Sequence, residues 1–170
     1  MTLNCNRGFT TVEMLVTVGV LAALSAILIG YSRSGELNII LFKDQARVVN
    51  AILRAKSLAV QTYATGENVC GYGIHFDPGG SFIIFKDLAA DCDSSDRQYS
   101  DPSEEVEVNK LDSKLWFSQL DISDALFVPP DPETILKPDR ESGVIAITAA
   151  SGASTVKIKI NSAGQVTTQQ

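Results

Sequence analysis

Glu13 is a lone carboxylate set against a long apolar run. From Met14 to Tyr31 the chain carries 18 residues without a charge. As a helix rising ~1.5 Å per residue, that run is about 27 Å long, close to the ~30 Å hydrocarbon core of a bilayer. A carboxylate beside such a segment costs on the order of 2–3 kcal/mol unless it finds a partner, which makes it a functional candidate. The partner within reach is an amine. A backbone cut between Gly8 and Phe9 would place a new N-terminus one helical turn from Glu13. In an assembly of staggered helices, a neighbouring chain's Phe9 amine would reach the same acid. The plainer alternative is an interfacial Glu that snorkels to water.

Other residues offer less. Asp87, Asp91, Asp93, Asp96 and Asp101 lie close together in an acidic stretch. Calcium takes six to eight oxygens, and closely spaced aspartates supply them, so Asp91, Asp93 and Asp96 are calcium candidates. The segment lacks the Gly and the distal Glu of an EF-hand, and a solvated acidic loop is the preferred reading. No cofactor is expected. His75 is the single histidine. A strand would turn Ile74 and Phe76 away from it, and the sequence shows no convergent partner. No Gly-x-Ser-x-Gly elbow, Cys-His pair or phosphate loop is present, so catalysis is not expected. Trp116-Phe117 reads as core filling. Removal of residues 1–8 would take Cys5 and leave Cys70 and Cys92 as an even pair flanking a predicted hairpin. Two readings stay open: a disulfide in an oxidising compartment, or two unpaired, partly buried thiols.

These residues need a frame. Thr10 to about Tyr63 reads as one long helix. Its outer half is amphipathic, with Leu41, Val48, Ile52, Ala55, Ala59 and Tyr63 spaced to form a stripe, and with Lys43, Asp44, Arg47, Asn50 and Arg54 on other faces. Ser34-Gly35 marks an expected kink or register break, and Gly66 an expected C-terminal cap. Beyond Gly66 the period changes to two. Strands are expected over Val69–Phe76 and Ser81–Lys86, joined by the turn Asp77-Pro78-Gly79-Gly80. Others are expected over Glu105–Leu111, Leu115–Leu120, Ala125–Val128, Val144–Thr148, Thr155–Ile160 and Gln165–Thr168, with an edge strand from Ile135 beyond the breaker Pro129-Pro130-Asp131-Pro132. The fold class is α+β: a long N-terminal helix, transmembrane in its first half, packed on a mainly antiparallel β domain. The segments are 1–8, 9–31, 32–65 and 66–170.

The stretch Arg7-Gly8-Phe9-Thr10-Thr11-Val12-Glu13-Met14-Leu15 resembles the N-terminal signal of type IV pilins and type II secretion pseudopilins. The resemblance implies cleavage after Gly8 by a prepilin peptidase that reads Arg7 and Gly8, N-methylation of Phe9, and a docking role for Glu13, fifth in the mature chain. It implies a pilin-like fold and assembly into a pilus or pseudopilus. The partners it implies are other subunits, the peptidase, an inner-membrane assembly platform and membrane lipid. Residues 1–8 would stay cytoplasmic and the β domain would lie outside. Cys70–Asp87 and Val156–Val166 resemble the opening hairpin and closing strands of minor subunits.

Rival readings are tested by composition. The chain has a net charge of −6, and losing Arg7 makes it more negative, which argues against a nucleic-acid partner. Only Lys157 and Lys159 stand where DNA-binding minor pilins carry arginines. An adhesive tip subunit would show an exposed aromatic or basic patch. A signal-anchored envelope enzyme would need a cleft of convergent titratable groups. A secretory signal peptide would need a small-residue cleavage site after the apolar run, and Gly30-Tyr31-Ser32 is a poor one.

Overall fold

The computed structural model describes residues 9–65, 69–89, 91–129, 133–150, 152 and 154–169, without the side chains of 29–34 and 63–65. Helix α1 spans Thr11–Thr65. It holds no proline, and helical assignment runs through Ser34-Gly35 without interruption. Its start is fixed locally. Thr10 Oγ1 accepts the Glu13 amide at 3.2 Å, and the Met14 amide reaches the Thr10 carbonyl at 3.1 Å. Thr10 therefore caps the helix, with Glu13 at its third position. Gly66 and residues 130–132 lie outside the described residues.

The chain divides into two compact units, one ending at Leu37 and one beginning at Asn38. The first contains the apolar helix. Thr11–Leu28 is long and apolar enough to cross a membrane, and none of it is buried within the chain. By length and composition this segment fits a permanent anchor or a signal sequence.

Among the described residues the second unit holds the rest of α1 and nine strands: β1 (Gly71–Phe76), β2 (Ser81–Asp87), β3 (Glu105–Lys110), β4 (Leu115–Leu120), β5 (Asp124–Val128), β6 (Glu133–Lys137), β7 (Ser142–Ala149), β8 (Thr155–Asn161) and β9 (Val166–Gln169). One sheet has the order β3-β2-β1-β5-β6, the other β4-β7-β8-β9, and every pairing is antiparallel. The β1–β2 turn is the expected one. Gly80 takes a φ of +89°, and Asp77 accepts the Gly80 amide on its carbonyl at 2.9 Å. Ile135 lies in edge strand β6, as the sequence predicts.

A single core joins the helix to both sheets. Leu41, Val48, Ile52, Ala55 and Ala59 are buried among Ile74, Phe76, Phe82, Phe117, Phe127, Ile145 and Ile158. Polar clamps hold the helix in place. Arg54 pairs with Glu107 at 2.6 Å, and Lys56 Nζ donates to the Gly164 carbonyl at 3.2 Å. Two expectations need correction. Asp44 does not sit on a solvent face but is 2% exposed. It lies three residues from Leu41 on the buried stripe, where its carboxylate accepts the Asp112 amide at 2.6 Å and pairs with Arg47 at 2.9 Å. Trp116 is 42% exposed while Phe117 is buried, because strand alternation turns adjacent side chains to opposite faces. In β3 Glu107 faces Arg54, and Val106 and Val108 point outward.

Candidate functional site

Two places gather chemistry. The first is the head of α1. Phe9 and Glu13 are both exposed, and Arg7 and Gly8 lie outside the described residues. Among the described residues, no basic side chain lies between Phe9 and Leu28. The Glu13 amide has a local use, since it is the group that Thr10 caps, in a Thr-x-x-Glu pattern before an apolar run. An acid in the first turn also meets the positive end of the helix dipole, a gain of about 0.3–1 kcal/mol. Glutamine keeps the capped amide and drops the charge, so one substitution separates the cap from the carboxylate.

The second place is the face of the β3-β2-β1-β5-β6 sheet that points away from the core. β1 presents Gly71, Gly73 and His75 on this side, with Phe85 and Leu126 on the neighbouring strands. A Cβ on Gly73 would sit 2.6 Å from the Phe85 ring and 2.8 Å from the Ala125 carbonyl oxygen. The bare backbone is what lets that ring lie flat on the sheet. Over the face runs an irregular loop, residues 88–104. Its anchor is a disulfide: Cys70 and Cys92 are bonded, with Cα atoms 5.1 Å apart. The two sulfurs stand at disulfide distance, the geometry that the paired reading expects.

The loop's acidic groups are largely spent on its own backbone. Glu104, 5% exposed, accepts the Ser100 amide at 2.8 Å and the Leu88 amide at 3.4 Å. Asp87 accepts the Ser95 hydroxyl. Burial raises its carboxyl above the usual range, and the Ser95 hydrogen bond partly opposes this. Asp101 caps a short helical turn at Pro102–Glu104. Hydrogen bonds from Ser103 hold its carboxyl below the usual value. Two of the three calcium candidates are arranged alike. Asp91 accepts the Asp93 amide at 3.2 Å, while Asp96 accepts the Gln98 amide at 3.3 Å and the Ser100 hydroxyl at 2.5 Å. Among the described residues no group of three or more His, Cys, Asp or Glu side chains is placed to hold a metal ion.

Under the loop sits a cluster invisible in the sequence. His75 Nδ1 lies 2.8 Å from Asp124 Oδ1, which also accepts the Tyr99 amide at 3.2 Å. The Tyr99 ring packs on the imidazole, with centroids 4.9 Å apart. Its hydroxyl donates to Glu105 at 2.7 Å, and that bond pushes the phenol up to about 12. Ser123 donates to the other Asp124 oxygen at 2.6 Å. His75 therefore has a convergent partner after all, 49 residues away and brought opposite by the β1–β5 pairing. The order of contacts decides its chemistry. The carboxylate stands between hydroxyl and imidazole, whereas activating a serine needs the imidazole between hydroxyl and carboxylate. The cluster is a latch for the loop, with Tyr99 as its bolt.

No known family profile, curated protein or solved structure matches the chain.

Proposed function

We propose that this chain is a structural subunit of the pilin and pseudopilin type, a minor one. In this reading a prepilin peptidase cuts it after Gly8, Phe9 becomes an N-methylated terminus, and the apolar helix packs into a pilus or type II secretion pseudopilus. Its globular unit then lies outside the cytoplasmic membrane. The observation that carries this reading is Glu13: a charged group, alone, at the head of an apolar helix with no buried residue, four positions after Phe9. A carboxylate at such a place is stabilised by a cation from another chain. The disulfide supports an oxidising location for the globular unit.

Mass spectrometry of the mature N-terminus, in cells with and without a prepilin peptidase, tests the processing. A methylated Phe9 start supports the reading, while an intact Met1 or a start near Ser32 overturns it. Glu13→Gln tests the charge separately from the cap. Because Gln keeps the backbone amide that Thr10 caps, cleavage and helix formation are expected to persist while filament incorporation drops at least tenfold. Unchanged incorporation of Glu13→Gln removes the pairing role.

A further inference from the structure

The outer face of the β4-β7-β8-β9 sheet has no element packed over it among the described residues. Register places Trp116, Thr148 and Thr155 in one row across three strands. Lys157 and Lys159 follow along β8, about 7 Å apart at the usual strand rise. Their cross-strand neighbours are Ala146, Val144, Thr167 and Gln169, none of them charged. Neither ammonium has an ion-pair partner among the described residues. In an acidic chain this is a cationic face carrying an exposed indole. One carboxylate, Glu141, stands nearby, in the open recess of about 480 Å³ that it shares with Lys159 and Asn161.

The same chain carries the matching surface. The loop over the other sheet has six carboxylates between Asp87 and Glu104 against one cation, Arg97. Asp93 is exposed, and its carboxylate makes no hydrogen bond among the described residues; Leu88, 42% exposed, offers an apolar contact. Both surfaces point away from the shared core. They are different patches, so a contact between them is head-to-tail and does not close on itself.

We propose that the Trp116–Lys157–Lys159 face receives the disulfide-tethered acidic loop of a second copy of this chain, with Asp93 against the lysines and Leu88 against the indole. This rests on the subunit reading above and adds a contact outside the helices. Exposed ion pairs are worth roughly 0.2–1 kcal/mol each, so the contact is weak alone. It gains weight when helix packing already holds two copies at high effective concentration. It is also screened by salt, unlike contacts in an apolar layer.

The test uses the full chain in cells that assemble it. A photo-crosslinking residue at position 157 is expected to capture peptides from 91–101 of another copy. Lys157→Glu with Lys159→Glu is expected to lower filament incorporation about 1.4- to fivefold per lost ion pair, more at low salt than at high. Asp93→Lys alone is expected to do the same, and all three changes together to restore part of the loss. These positions are exposed, and unchanged near-ultraviolet circular dichroism verifies folding. The proposal is overturned by crosslinks to nucleic acid, to another protein or to nothing. It is also overturned if the losses simply add, or if reversing the lysines has no effect. Reversed lysines without effect, while Glu13→Gln still abolishes incorporation, sink this contact and leave the subunit reading standing.

Discussion

Helix α1 behaves as two different objects along one continuous backbone. Between Thr11 and Leu28 its side chains touch nothing the chain itself provides, and Leu15 is 76% exposed. Between Leu41 and Ala59 residues of similar type are sealed, and Val48 and Ile52 are fully buried. Apolar composition is common to both stretches; polar residues at helical spacing occur only in the second. A one-sided stripe can be satisfied by a single sheet face. A helix that is apolar all round must be satisfied by something that surrounds it, lipid or other helices.

The sharpest way to break this contrast is a matched pair of truncations. Ile52→Ala should destabilise the globular unit by about 2–5 kcal/mol, because it empties a sealed site. Leu21→Ala should leave that stability unchanged. Thermal unfolding of the intact chain in detergent micelles checks both, and a destabilising Leu21→Ala would show that the two stretches are coupled. Next in size is the loop. Replacing Cys70 and Cys92 with serine should cost about 3 kcal/mol, since the bond closes a loop across a separation of 22 residues. Amide exchange should then rise first at 88–104, ahead of the strands beneath. Gly73→Ala should cost about 1–3 kcal/mol by driving a methyl into Phe85 and the Ala125 carbonyl.

Two smaller effects are read by pH. The Tyr99 phenol, held protonated by Glu105 up to about 12, stays neutral where the unfolded chain would already ionise. The unfolded state then binds fewer protons, and stability should fall between roughly pH 10 and 12. Glu105→Gln should lower the titration midpoint seen in the phenolate absorbance and remove that fall. Asp87 is also raised, so its ionisation opposes folding. The stability linked to this group is present below the ordinary carboxyl range and lost as pH rises through the raised value. Asp87→Asn should therefore be tolerated at neutral pH and should flatten the stability profile on the acid side.

The parts legible beforehand are those encoded locally. The buried stripe of α1, the Asp77–Gly80 turn and every strand follow from spacing and turn chemistry within a few residues. The loop latch follows from long-range pairing, which no local pattern reveals. Asp124 meets His75 only because β5 lies beside β1, and Tyr99 reaches both only because the disulfide folds the loop back. Trp116 lies outside for a related reason: periodicity identifies two faces of a strand, but what packs against each face decides which is inside.

The Cys70–Cys92 bond has one further consequence. Such bonds persist where the surroundings are oxidising and are undone by cytosolic thiol reductants. A domain that has never left a reducing compartment would hold its acidic loop by carboxylates and Tyr99 alone, and Phe85 and Leu126 would be that much easier to uncover. The tether of the loop thus differs between the two surroundings by one covalent link.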